Sequence, residues 1–235
     1  MTELLVGCPV RARDWALPSW FEHVEIAAAK AGLEPDFVFV GDPERDPATW
    51  DVIDKFADYH TVYPIFVHED DMIVDHRWVY ARYERMAWLR NQMLEQVRAV
   101  MPTWFLSLDS DVMLHPDAIQ RMIETATGAF DAVGSKVYLG DRGTRYPNWA
   151  KLDPAGRLMR SDFGGVMRVD VLMAVVLMNA DAYDVDYQVH TLGEDIGWSI
   201  ACKEAGVLLG FDGTVTSKHV MSPVKLDIVD ARVGY

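Results

Sequence analysis

The sequence predicts an α/β fold, a mostly parallel central sheet flanked by helices, and three observations carry that expectation. Near-continuous apolar runs of strand length recur at Leu4-Leu5-Val6, at Phe37-Val38-Phe39-Val40 and from Trp104 to Leu108. Strands buried on both faces of a parallel sheet read this way, whereas half-exposed strands alternate. Between the runs, apolar residues fall at helical spacing. The runs also end in short polar loops containing Gly, Pro or Asp. Ligands of such sheets gather at the carboxyl ends of the strands, so these loops are where function is sought.

The bulk properties agree. A chain of 235 residues, half of them hydrophobic, can bury a full core as one domain. With 25% charged and 11% aromatic residues, disorder is not expected. A formal charge of -14 argues against a broad phosphate-binding surface, though not against a local basic pocket. Cys8 and Cys202 cannot build a disulfide framework and read as small buried residues of a reducing compartment. Met1 to Leu4 lack the basic start and apolar stretch of a signal peptide, and the longest apolar run, 171–178, is too short for a bilayer. The expectation is a soluble cytoplasmic protein.

Taken in order, the first strand runs into Gly7-Cys8-Pro9-Val10-Arg11-Ala12-Arg13, where Gly and Pro stop it and two arginines occupy the loop. A helix is expected from Ser19, with Glu22 at capping-box spacing, to Gly32. The second strand, 36–40, ends in Gly41-Asp42-Pro43. This strand–helix–strand unit suits a nucleotide, with Arg11 or Arg13 near phosphates and Asp42 near a base or ribose. Solvated loop charges are the plainer account, and for Asp42 the two stand level. A short helix over 50–57, a strand over 62–67 and an acidic cluster at 68–71 follow.

One long helix is expected over 77–100, with Arg90 continuing the apolar stripe between Met86 and Leu94. A charge there needs a partner, because burying it alone is expensive. A diphosphate or the nearby Asp109 would serve. The next apolar run ends in Asp109-Ser110-Asp111. Two carboxylates one residue apart at a strand end offer hard oxygens to Mg²⁺ or Mn²⁺. An acidic turn before a helix is the plainer account of an isolated pair.

His115-Pro116-Asp117 opens a helix in which His115 reads as a cap, and 131–138 reads as a strand. The Gly- and Trp-rich segment 140–157 reads as a long irregular loop, where Tyr146 and Trp149 could meet an acceptor. Phe163-Gly164-Gly165 precedes a short strand, and 170–178, whose run of Val, Leu and Met has no polar face, is expected to be a helix packed on both sides. Gly193-Glu194-Asp195 then starts a helix. Acids are favoured there by the helix dipole, and a carboxylate so held is also placed to act as a base. Strands at 207–211 and 214–215 lead to His219.

Together these pieces resemble the metal-dependent glycosyltransferases of the GT-A fold, especially the family 2-like inverting enzymes. The matching residues run in that family's order along nearly the whole chain. They are Pro9 to Arg13, Asp42, Arg90-Asn91, Asp109-Ser110-Asp111, Phe163-Gly164-Gly165, Gly193-Glu194-Asp195 and His219. The resemblance implies a single domain, with a nucleotide-sugar-binding half over about 1–112 and an acceptor-binding half over about 113–235. It implies that Asp111 and His219 bind Mn²⁺ or Mg²⁺, with Asp109 on metal or ribose. It further implies a nucleotide-diphosphate sugar held by Pro9, Arg11, Arg13, Asp42, Arg90, Asn91, Asp109 and Ser110. Asp195 is then the base that deprotonates an acceptor hydroxyl, with Glu194 the alternative. The acceptor (protein, glycan, lipid head group or modified nucleic-acid base) is open, and so is the oligomeric state.

Two rivals stand beside this. Haloacid-dehalogenase phosphatases also carry Asp-x-Asp at a strand end, with the first Asp as nucleophile. Here Asp109 sits mid-chain, and Met113 stands where that motif expects Thr or Val. A non-catalytic nucleotide-sugar or glycan-binding module is the other rival.

Overall fold

The computed structural model describes residues 2–68, 80–139, 146–224 and 226, and in it the apolar runs pair side by side. The first half alternates strictly. It runs β1 (Leu4–Pro9), α1 (Leu17–Lys30), β2 (Pro35–Gly41), α2 (Pro47–Ala57), β3 (Val62–Phe66), α3 (Tyr80–Val100) and β4 (Trp104–Leu108). The four strands are mutually parallel in the order β3-β2-β1-β4. The chain therefore leaves β1 in one direction along the sheet and returns on its other side at β4. That reversal opens a crevice at the carboxyl ends of β1 and β4.

The second half continues with β5 (Val112–Met113), α4 (Ala118–Ala126), β6 (Ala132–Leu139), β7 (Tyr146–Pro147), β8 (Trp149–Leu152), β9 (Leu158–Met159) and β10 (Val166–Arg168). It closes with β11 (Val171–Leu172), β12 (Val175–Met178), α5 (Ala180–Tyr183), α6 (Glu194–Glu204) and β13 (Leu209–His219). β12 enters antiparallel between β4 and β6, β13 lies parallel to β6, and β10 closes the edge. β5 pairs with β13 and β7 with β6, giving ten strands in the main sheet among the described residues, while β8, β9 and β11 form a small second sheet.

Side-chain alternation explains why the runs are apolar throughout. Leu4, Val6, Cys8, Phe37, Phe39, Leu106 and Leu108 face a core shared with α1 and α4. Leu5, Val38, Val40 and Phe105 face the opposite core, shared with α3 and α6. Both faces are covered, so both sets of positions are apolar. A polar side chain there needs a buried partner, as Ser107 of β4 has in Arg90. Both cysteines are buried and unbridged.

Several expectations change. The run over 170–178 is not a helix. It is β11 and β12, separated by Ala174 at φ +65°. A continuous apolar stretch carries no period, and pairing with β4 and β6 fixes it as strand. α1 starts at Leu17 without a side-chain cap, because Pro18 occupies its first turn and the carbonyl of Arg13 takes the N–H groups of Ala16 and Leu17. The segment expected to be irregular holds β7, β8 and the start of the β9 hairpin. The two final strands are one, β13, with a register shift between Asp212 and Thr216. Residues 69–71 of the acidic cluster, 77–79 of the expected helix and 140–145 lie outside the described residues. No helix among the described residues is long and apolar enough to cross a membrane.

Candidate active site

Asp109 is the first residue past β4, held in place through its backbone. Its N–H donates to Ala174 (2.9 Å), and its carbonyl accepts from Trp20 Nε1 (3.1 Å) and Val112 N (3.0 Å). The turn brings Asp111 beside the end of β13, where β5 pairs with it antiparallel, Val112 opposite His219. The N–H of Val220 donates to the Asp111 carbonyl at 2.7 Å. This pairing sets His219 Nε2 3.3 Å from Asp111 Oδ1. From the end of β1, Arg13 Nη2 reaches Asp111 Oδ2 at 3.1 Å. Residues 98 positions apart thus meet in the crevice between β1 and β4. Burial alone would raise the Asp111 carboxyl. The hydrogen bond and charge of His219, with the charge of Arg13, outweigh it, and the group sits below its ordinary value.

Arg90 is the second centre. It is 3% exposed, and its guanidinium donates to Ser107 Oγ through Nη1 and to Asp109 Oδ1 through Nη2, each at 2.9 Å. Glu194 Oε1 lies 3.4 Å from Nε and Asp195 Oδ1 3.7 Å from Nη2. The Tyr187 ring lies 5.3 Å from its Cζ. Burial works against the charge of Arg90, but Asp195, Tyr187, Asp109 and Glu194 hold it firmly protonated. Asp109 is raised above its usual range, chiefly by burial and also by Asp111, with Arg90 opposing.

The acids at the start of α6 are delivered by two glycines. Gly193 caps the helix at φ +132°, a backbone angle in the region that favours glycine. A Cβ on Gly197 would lie 1.9 Å from the Gln188 carbonyl oxygen, so the first turn presses directly on the preceding loop. Of the two acids, Glu194 keeps 7% of its side-chain surface and Asp195 20%. The backbone N–H of Ala174 favours the ionised Asp195 carboxyl. Burial nonetheless pushes Asp195 up to about 8, with Glu194 and Asp109 adding to the effect against the pull of Arg90. Ala174 therefore touches the acid cluster through its carbonyl, which accepts the Asp109 N–H.

The other expected residues are placed as follows. Pro9 ends β1 opposite Val40, and Arg11 is exposed in the loop beyond it. Asp42 is buried, with Oδ1 accepting from the N–H groups of Glu44 (3.0 Å) and Arg45 (3.3 Å) and Oδ2 3.8 Å from Arg45 Nε. It shapes the loop after β2. Asn91 does not turn to the crevice. Its amide both donates to and accepts from the Tyr187 backbone, at 3.0 and 2.7 Å. Ser110 is buried between the two aspartates. Sequence reasoning did not reach Ser107, Ala174 and Tyr187. A backbone carbonyl that accepts an N–H leaves no mark on residue type, and Tyr187 lies in a loop without periodicity.

Among the described residues, no group of three or more His, Cys, Asp and Glu side chains converges as a metal cage. What converges is the pair Asp111 and His219, while Asp109 turns to Arg90. A pair fits an ion such as Mg²⁺, which retains waters and is completed by substrate phosphates rather than by an all-protein shell.

No protein-family model matches the chain, and no curated protein sequence does. Solved structures do resemble it. A197 from STIV is 12% identical with a TM-score of 0.54, over 95% of this chain and 87% of that one. S. aureus TarS 1-349, solved in complex with UDP, is 11% identical with a TM-score of 0.58, over 97% of this chain and 63% of that one. GalNAc-T7, solved with UDP, GalNAc and Mn²⁺, is 11% identical with a TM-score of 0.60, over 95% of this chain and 46% of that one. The chain thus spans less than two thirds of the TarS fragment and under half of the GalNAc-T7 chain. At these identities the likeness shows the fold, and that fold is the GT-A arrangement of a mostly parallel sheet flanked by helices.

Proposed function

We propose that the chain is a glycosyltransferase that moves a sugar from a nucleoside-diphosphate sugar to an acceptor hydroxyl, with inversion. One observation carries this reading. Arg13, Asp109, Asp111, His219 and the Arg90–Glu194–Asp195 cluster meet at one crevice of a GT-A sheet. That UDP was bound in the TarS and GalNAc-T7 structures makes UDP-sugars the first donors to assay.

The nucleotide occupies the half over about 1–112, and the acceptor the half over about 113–235. Arg13 faces the diphosphate, and Arg90 fixes Asp109 at the donor. Asp111 and His219 would hold Mn²⁺ or Mg²⁺, which would supply positive charge against the departing diphosphate. Asp195 takes the proton from the acceptor hydroxyl. The oxygen bonds to the anomeric carbon as the carbon–phosphate oxygen bond breaks, and that electron pair leaves with the nucleoside diphosphate. Asp195 is preferred to Glu194 as base because it is the more accessible of the two. A carboxyl held up to about 8 is also matched to proton abstraction near neutral pH.

The test is release of nucleoside diphosphate from a panel of UDP-sugars with Mn²⁺ or Mg²⁺, by the intact chain and by Asp195→Asn. The variant is expected to bind donor as before and to lose about 10²–10⁴-fold in turnover. In the wild type, kcat/KM should rise with pH to a midpoint near 8, because the base works only when ionised. Undiminished turnover in the variant moves the base to Glu194. Donor binding without turnover under any condition supports a binding module. Phosphomonoester hydrolysis abolished by Asp109→Asn supports the phosphatase.

A further inference from the structure

Between the β8–β9 hairpin and β10 lies a cleft of about 260 Å³, lined by Trp149, Lys151, Met159, Arg160, Ser161 and Met167. No carboxylate among the described residues lines it, although the chain has 36 acidic residues against 22 basic ones. The nearby cations are matched to acids. Lys136 pairs with Asp162, Arg157 with Asp153 and Lys203 with Asp170. Arg160 has no such partner among the described residues. Its guanidinium stacks 4.4 Å from the Tyr146 ring, and its Nη2 faces only the Met173 thioether at 3.9 Å, a weak acceptor. Its Nε is buried without an acceptor, and so is the indole Nε1 of Trp149, which is 2% exposed.

A cation oriented by a ring, with a donor removed from water and nothing to receive it, is costly as it stands. An oxyanion supplied from outside would relieve that cost, and a guanidinium fork suits carboxylate and phosphate alike. The volume is just under the range of about 300–1,000 Å³ typical of small-molecule pockets, which suits one sugar ring with a charged substituent better than a nucleotide. The location points to the acceptor. Met173, which Arg160 touches, directly precedes Ala174, whose carbonyl accepts the N–H of Asp109 and whose backbone favours the ionised Asp195.

We propose that this cleft is an acceptor subsite for an anionic group, anchored by Arg160 and assisted by Lys151. Its assignment to the acceptor rests on the transferase reading; anion binding does not. The experiment is calorimetric titration of the intact chain with glucuronate, glucose 6-phosphate and neutral glucose. It is repeated with Arg160→Met and Arg160→Lys, and with UDP plus Mn²⁺ as a separate titrant. At least one of the two anions should bind measurably more tightly than glucose. Arg160→Met should weaken that anion by roughly tenfold or more, the scale of one charge-assisted hydrogen bond, and Arg160→Lys by less. UDP–Mn²⁺ affinity should not change in either variant. Preference for glucuronate marks a carboxylate ligand, and preference for glucose 6-phosphate a phosphate one. The subsite is overturned if neither anion binds better than glucose, or if anion affinity survives Arg160→Met. Absent UDP binding in the wild type would instead count against the transferase reading and leave the anion cleft standing.

Discussion

Arg90 sits 3% exposed among Ser107, Asp109, Glu194 and Asp195, so its charge and theirs are parts of one buried network. Breaking such a network from one side typically costs about 3–5 kcal/mol, because the partners are left uncompensated. Arg90→Met should therefore lower stability in urea by that order, and the loss should depend on pH. Burial holds Asp195 up to about 8 and Asp109 above its ordinary value, with Arg90 restraining both. A carboxyl raised on folding keeps a proton that the unfolded chain gives up, so stability is full at low pH and falls as pH climbs toward the folded value. Removing Arg90 extends that fall to higher pH. The variant's deficit should be smaller at about pH 5 than at about pH 9. A deficit independent of pH would mean that the acids do not depend on Arg90. Much of this was legible in the sequence, since a charge inside an apolar stripe demands a partner and Asp109 was a named candidate. The backbone contact of Ala174 with Asp109 was not, because every residue type offers the same carbonyl.

At the scale of elements, the strands of the first half were readable because each is a short apolar run closed by turn residues. β12 was not, because eight apolar residues in a row satisfy a buried helix and a buried strand equally. Only its neighbours β4 and β6 decide. The start of α6 shows the converse. Gly193-Glu194-Asp195 was visible as a helix start, but not the role of Gly197 four residues on. With a Cβ 1.9 Å from a backbone carbonyl, Gly197→Ala cannot be relieved by rotating a side chain. Either the loop at Gln188 or the helix must move. Overpacking of this kind costs about 1–3 kcal/mol. Because Asp195 lies two residues before Gly197, a shift of the helix also displaces the proposed base, and misplacement by about 1 Å can cost roughly 10² in rate. The expected result is a moderate fall in the urea midpoint with a disproportionate fall in kcat. Unchanged kcat at reduced stability would show that the loop yields and the helix does not.

For the whole molecule, the carboxylates of the site are part of a formal charge of -14. Asp109, Asp111, Glu194 and Asp195 gather around Arg13 and Arg90, with His219 beside them and Arg82 acting on Glu194. A divalent ion with a nucleoside diphosphate is suited to such a crevice, and binding only to the folded chain must raise its stability. At a ligand concentration 100 times Kd the gain is about 2.7 kcal/mol. For a chain of this length each kcal/mol moves Tm by about 2–4 °C, so UDP with Mn²⁺ should raise Tm by roughly 5–11 °C. General screening of an acidic protein by Mn²⁺ also raises Tm, but it does not depend on one residue. Asp111→Ala and His219→Ala leave the net charge within one unit of its value, so they retain the screening part. Both variants should therefore keep the small shift given by Mn²⁺ alone and lose the additional shift given by UDP with Mn²⁺, as chelation does in the wild type. If the full shift persists in both variants, or in wild type under chelation, the ion is not held by this pair.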